Sequence, residues 1–158
     1  MSIRDAERAD LPAIVAIYNA SIGGDDTPLE AASRQSWFEH HHPDSYPLRV
    51  LEIEGAVAGW VGLEPFYGHP QSPNTAEISL YVARAHQNQG LGRRLLDDGL
   101  TRARALGFAT LLACVFAHNE ISVHLLKGAG FQAWGNLPDI AEMDGNRYNL
   151  RIFGRPLS

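Results

Sequence analysis

Among its 158 residues the chain has one cysteine, Cys114, which excludes an internal disulfide and the clustered thiols of a zinc site. No run approaches the roughly 18 apolar residues that span a bilayer, and Met1-Ser2-Ile3-Arg4-Asp5 has none of the apolar character of a secretion signal. A cytoplasmic protein is expected. An excess of positive charge is missing too: 13 Lys and Arg against 18 Asp and Glu leave a net charge of -5, too acidic for a broad footprint on nucleic acid or an anionic membrane. The expected partner is a small molecule. Repeats, low-complexity tracts and linkers are absent, and the 45% hydrophobic content supplies one core, so residues 1–158 read as a single domain.

Apolar periodicity supplies the elements. Residues 10 to 20 read as a helix, with Asp10 able to cap it, Pro12 in its first turn, and Leu11, Ile14, Ile17 and Tyr18 on one face. A second helix is expected over about 29 to 41. Two alternating runs, 48–53 and 56–63, form a hairpin about Glu54-Gly55, and the segment from Tyr67 to Asn74 is loop. A strand over 76–82 leads through a glycine-rich loop into a helix carrying Leu91, Leu95, Leu96, Leu100, Ala103 and Leu106, which Gly107 ends. A strand at 110–116, a helix at 120–129 and strands near 131–134 and 146–153 follow. The expected architecture is α/β (α+β): a mixed sheet with helices on its faces, not a regular doubly wound alternation.

The loop Gln87-Asn88-Gln89-Gly90-Leu91-Gly92 lies where a phosphate would sit, because glycines let the backbone approach an anion and the next helix aims its positive end there. A dinucleotide fingerprint would need a third glycine, and GLGRRL lacks it; a P-loop would need Lys-Ser or Lys-Thr after the last glycine, and neither is present. What fits is QxxGxG on Gln87, Gly90 and Gly92, followed by Asn119, Ser122, Gly130, Phe131 and Gly135. With Asp10, Ile17-Tyr18-Asn19, Trp37, Ala76-Glu77, Tyr81-Val82 and Gly145-Asn146-Arg147 in order, the chain resembles the GNAT superfamily of N-acetyltransferases over nearly its whole length, most closely the phosphinothricin and methionine sulfoximine acetyltransferase group.

The resemblance implies a GNAT-type, mostly antiparallel sheet, a homodimer, and acetyl-CoA as cosubstrate with no metal. It places the pyrophosphate on the amides of Gln87, Asn88, Gln89, Gly90, Leu91, Gly92 and Arg93. The pantetheine and thioester carbonyl fall on the backbone of Leu80, Tyr81 and Val82, and on Asn119 and Ser122. A fixed N–H at that carbonyl stabilises the charge that grows during transfer more than it stabilises the ground state. Glu77 holds the position of the general base that deprotonates the amine; the bland alternative is an exposed strand carboxylate.

One family feature is missing. The residue seven after Asn119, usually the Tyr or His that protonates the leaving thiol, is Leu126, and His124 lies about 200 degrees away round the helix. If the CoA thiol titrates like cysteine, near about 8.5, protonating it at neutral pH is worth only about 2 kcal/mol, so transfer survives with thiolate departure. Cys114, in the apolar run 111–116, reads as a buried small hydrophobe rather than a nucleophile. His40, His41 and His42 are consecutive and cannot chelate together; they read as a solvated helix end.

For the acceptor, Trp37, Phe38, Phe66 and Tyr67 are candidate walls, with core packing the alternative for each. Related amino-acid acetyltransferases commonly carry Arg or Lys before the Glu77 strand, whereas residues 66–74 hold neither; His69, Arg49 or Arg147 would have to take a substrate anion. Asp25 and Asp26 would suit a cationic amine, or are a solvated acidic turn. The expected activity is direct acetyl transfer to the amine of a small molecule, an amino acid or its analogue such as phosphinothricin or methionine sulfoximine, or another primary amine. The competing readings are a non-catalytic acyl-CoA sensor and a protein N-acetyltransferase. If Leu126 leaves the thiolate unprotonated, Leu126→Tyr raises turnover modestly; an unchanged or lower steady-state rate counts against that account.

Overall fold

The computed structural model describes residues 1–21, 30–66, 74–143 and 145–157. One seven-stranded sheet runs through it, built from β1 (Ser2–Asp5), β2 (Leu48–Ile53), β3 (Ala56–Pro65), β4 (Thr75–Val82), β5 (Thr110–Phe116), β6 (Gln132–Met143) and β7 (Asn146–Pro156). The spatial order is β1-β2-β3-β4-β5-β7-β6, with every neighbouring pair antiparallel except β4 with β5. The helices are α1 (Leu11–Ser21), α2 (Gln35–Glu39), α3 (Leu91–Ala105) and α4 (Glu120–Gly128). No helix among the described residues is long and apolar enough to cross a membrane.

The β2–β3 hairpin forms where its turn chemistry predicts, with positive φ at both Glu54 (50°) and Gly55 (79°), the pair of dihedrals a two-residue primed turn needs. Helix α3 buries Leu91, Leu95, Leu96, Leu100 and Ala103 against one face of the sheet, where Leu51, Val61, Leu63, Ile78, Leu111 and Phe153 complete the main core. Each such leucine contributes about 1.5–3 kcal/mol when removed from water. On the opposite face α1 lays Ile14 and Ile17 over Leu48, Val50 and Trp60, with Trp37 and Phe38 of α2 partly buried beside them.

Four elements depart from the sequence reading. The edge strand β1 carries too short an alternation to register, and is held by pairing with β2. The second helix is a 3-10 turn, Ala31–Arg34, running into the five-residue α2. Strand β6 continues to Met143, its pattern hidden by two register shifts, one beside Trp134 and one around Pro138 and Asp139, the latter at φ 53°. Asp10 closes a 3-10 turn before α1: its carboxylate accepts from the Glu7 N–H at 2.7 Å and from Arg4 at 2.8 and 2.9 Å. That bond to Arg4 holds the Asp10 carboxyl below its ordinary range against the opposing effect of burial.

Arg49 is buried, donating to Asp98 on α3 at 2.7 Å and to Asp5 on β1 at 2.9 Å. Its donors are committed to the scaffold, which removes it as a substrate anion handle. A tighter constraint stands at Gly59, where an added Cβ would come within 2.9 Å of both the Tyr81 carbonyl and Leu95 Cδ1. The first neighbour is backbone and cannot swing aside. Gly59→Ala is therefore expected to cost about 1–3 kcal/mol, read as a lowered urea midpoint with unchanged m-value.

Candidate active site

The loop from Gln87 to Gly90 is exposed and enters α3 through two left-handed residues, Asn88 at φ 63° and Gly90 at φ 76°. The first intrahelical bond runs from Arg94 N to the Gly90 carbonyl at 3.3 Å, so the N–H groups of Leu91, Gly92 and Arg93 have no partner within the helix. They point out of a 15-residue helix at its positive end. A Cβ on Gly90 would meet nothing within 4 Å, so this glycine serves the backbone turn. Gly92 differs, because a Cβ there would sit 3.3 Å from Leu125 Cδ2, making it a close contact between α3 and α4. Gln87 ties the loop to the end of β4 by donating from Nε2 to the Val82 carbonyl at 3.4 Å. The Arg93 side chain turns away, to Asp97 at 3.0 Å and the Gly128 carbonyl at 3.2 Å, leaving only its backbone N–H at the loop.

Strands β4 and β5 pair over three residues only, from Thr75 opposite Thr110 to Glu77 opposite Leu112. Beyond that point β4 stays with β3 as far as Val82, and β5 stays with β7 as far as Phe116. The sheet therefore forks. Along Ile78 to Val82 the groups that bond β3 are satisfied, while those facing the fork have no strand partner, an opening lined by backbone donors and acceptors. Asn119 follows β5; its Oδ1 accepts from Ser122 N at 3.2 Å and caps α4, so Nδ2 is the part of that side chain left to face the opening.

Register then assembles the acceptor side. Glu64 pairs with Glu77, Gly62 with Ser79 and Trp60 with Tyr81, so all share the face covered by α1 and α2. There a cavity of about 330 Å³ is lined by Ile14, Tyr18, Arg34, Trp37, Trp60, Glu64, Ser79 and Tyr81, among others. The Trp37 indole N–H donates to Glu64 Oε1, and the Trp37 ring meets Trp60 edge-on at 5.6 Å. The Tyr81 ring packs at a tilt against Trp60, centroids 5.0 Å apart, and burial pushes its hydroxyl up to about 12.

Glu77 is half-buried at the last paired position before the fork. Burial pushes its carboxyl above the ordinary range, a hydrogen bond from the Cys114 thiol works against this, and the charge of Glu64 opposite adds to it. Cys114 is consequently not enclosed in the apolar core: in the β4–β5 register it shares the face of Glu77. His41 is a second correction to the sequence reading. Its side chain is 5% exposed, its Nδ1 lies 2.9 Å from the Trp37 carbonyl, and its Nε2 is 3.6 Å from Glu64 without a hydrogen-bond partner. Burial lowers its proton affinity, so this ring is not part of a solvated helix end, whereas His40 and His42 are exposed.

Of the expected acceptor residues, Trp37 lines the cavity, Phe66 is half-buried just past β3, and Tyr67, His69, Asp25 and Asp26 lie outside the described residues. Arg147 is exposed on β7 opposite Glu142, away from the cavity walls. Leu126 belongs to the main core and His124 is exposed, so neither offers a proton to the fork. Arg34 and Glu64 were not singled out in the sequence. The spacing of Arg34, Trp37 and His41 on one helical face was a usable signal, while Glu64 required the β3–β4 register.

A profile of the Acetyltransferase (GNAT) family matches residues 11–131. The chain belongs to the GNAT acetyltransferase family. YwnH of Bacillus subtilis strain 168, proposed as a phosphinothricin acetyltransferase, is 45% identical over 100% of both chains. An L-methionine sulfoximine/L-methionine sulfone acetyltransferase of Pseudomonas aeruginosa is 35% identical, over 94% of this chain and 90% of its own. A GNAT phosphinothricin acetyltransferase from Sinorhizobium meliloti, solved with acetyl-CoA, superposes at a TM-score of 0.92 with 28% identity, over 99% of this chain and 88% of its own. This GNAT protein is an acetyl-CoA-dependent N-acetyltransferase, and among its described residues no His, Cys, Asp and Glu cluster could hold a metal.

The fork, the open space at Gly90 and the three unpartnered helix N–H groups fit a thioester carrying a pyrophosphate. At φ 76° a β-branched residue is strained whatever the space around it. Gly90→Val is expected to raise KM for acetyl-CoA at least tenfold with little change in the acceptor KM, measured by initial rates over both substrates.

Proposed function

We propose that this acetyltransferase moves the acetyl group of acetyl-CoA to the primary amine of a small molecule, with Glu77 as general base. The carrying observation is the place of Glu77, the last β4 residue paired with β5 before the fork and, through its pairing with Glu64, on the sheet face that the cavity covers. Acetyl-CoA supplies the activated acyl group. In this reading the N–H groups of Gln87 to Arg93 hold the pyrophosphate, and the free backbone of Leu80, Tyr81 and Val82, with Asn119 Nδ2 and Ser122, orients the pantetheine and acyl carbonyl. An amine entering through the cavity passes Glu64 and gives its proton to Glu77, directly or through one water.

The raised proton affinity of Glu77 suits that role, since a stronger base removes an ammonium proton more readily. Names of relatives support amino-acid analogues such as methionine sulfoximine as acceptors. Cytoplasmic residence and a homodimer form part of the same proposal; exposed Trp134 and Ile140 on β6 are apolar surface that a second copy would cover.

Because the base must be ionised, kcat/KM falls as pH drops through the Glu77 pKa, placing the acid limb above the ordinary carboxylate range. Glu77→Gln is expected to lose roughly 10²- to 10⁴-fold in turnover and to abolish that limb, while acetyl-CoA binding by calorimetry is retained. A carboxyl whose folded pKa is raised disfavours folding as pH climbs above its unfolded value, so Gln at 77 relieves that cost and the lost rate does not reflect unfolding. Equal pH–rate profiles for the two proteins would remove Glu77 as base.

A further inference from the structure

Among the described residues lining the cavity, one is a carboxylate, Glu64, and one is a cation, Arg34; Glu77 pairs with Glu64 on the same sheet face. Arg34 is half-buried, and its guanidinium carbon lies 4.8 Å from the centroid of the Trp37 ring. Among the described residues it pairs with no carboxylate, although Arg4, Arg8, Arg49 and Arg93 all do. Its five N–H donors form a planar fork that no acid among the described residues takes.

The platform beneath Arg34 is rigid. Trp37 is fixed at its Nε1 edge by Glu64 and on its side by Trp60, so the guanidinium over its face and the carboxylate at its edge are held on one indole. Stacking on an immobilised ring means little further ordering when a ligand arrives. A simple cationic amine would gain from Glu64 but be repelled by Arg34. A molecule carrying an ammonium and a carboxylate a few ångströms apart meets a partner at each end.

We infer that Arg34 sets acceptor specificity by binding the carboxylate of an amino-acid acceptor, while Glu64 receives its ammonium. This rests on the reading of the cavity as the amine site. It replaces the cation that residues 66–74 lack in sequence with one delivered from the turn ahead of α2. Arg34 sets specificity and takes no part in proton transfer.

The test compares L-methionine sulfone with 3-(methylsulfonyl)propan-1-amine, the same molecule without its carboxylate, against wild-type protein, Arg34→Met and Arg34→Lys. Wild type is expected to prefer the amino acid. Arg34→Met should lose roughly 10- to 100-fold in kcat/KM for the amino acid, chiefly through KM, the range for losing a charge-assisted hydrogen bond, with the amine unchanged within about twofold. Arg34→Lys should recover part of the loss, and calorimetric binding of methionine sulfone to the CoA-bound protein should weaken in the same order. Unaltered acetyl-CoA affinity of Arg34→Met reports an intact fold. Wild type that uses the amine as well as the amino acid, or fails to bind methionine sulfone, would overturn the inference, as would equal losses on both acceptors or no loss. Failure of the Glu77 reading looks different: Glu77→Gln then keeps the wild-type pH–rate profile on both acceptors, so the two outcomes are separable.

Discussion

The site depends on the sheet giving up its own hydrogen bonds. Only three residues of β4 pair with β5, and the two strands then follow different partners, β4 with β3 and β5 with β7. Unpaired backbone in a sheet interior carries a desolvation cost unless something satisfies it. The proposed thioester arm does so, which turns a structural defect into a template of fixed dipoles. Rigidity on each side keeps the opening from closing: α3 packs against β3 and β4, and β7 bonds β5 along its whole length.

From the fork the chemistry divides by face. Ile78, Leu80 and Val82 turn toward α3 and the main core, while Glu77, Ser79 and Tyr81 turn toward α1 and α2. A single eight-residue strand thus separates a greasy support from a polar cavity by its period of two. Placing Glu64 directly across from Glu77 sets like charges side by side, which costs stability in an isolated hairpin. Here the pairing raises the proton affinity of Glu77, and Trp37 satisfies the Glu64 oxygen that would otherwise face the indoles bare. The Cys114 thiol pulls in the opposite direction, so the Glu77 carboxyl is tuned by neighbours on both adjacent strands.

The donor half was legible in the sequence because it is local. QxxGxG, the strand before it and the helix after it lie within residues 76–105, and glycines ahead of a periodic helix predict a tight turn at a helix N-terminus without tertiary information, the turn that Gly90 makes at φ 76°. The acceptor half was not, because it is assembled by register and by packing of α2 across β3. Glu64 reads as an unremarkable carboxylate until Glu77 is seen opposite it, and Arg34 as a surface arginine until Trp37 is seen beneath it. Cys114 and His41 failed for a related reason: an apolar run and a histidine triplet say nothing of which members face a carboxylate. Strand β6 failed locally, since Gly135 and Pro138 interrupt its alternation at the positions where its register shifts.

Leu126 gains meaning from this division. Its side chain fills the main core beside α3, so a hydroxyl there would be a buried polar group needing a partner as well as added bulk in a packed region, which overturns the gain in turnover expected of Leu126→Tyr from the sequence. The chain therefore invests its polar groups on the nucleophile side, where Glu77, Glu64 and Cys114 meet, and offers apolar packing where relatives usually place an acid. That asymmetry is energetically coherent. The acceptor ammonium must shed a proton before it can attack at all, whereas a thiol near about 8.5 departs as thiolate at a cost of only about 2 kcal/mol at neutral pH. Proton removal is the step that needs a base, and the proton affinity of Glu77, raised by burial and by the like charge of Glu64, fits its proposed role there.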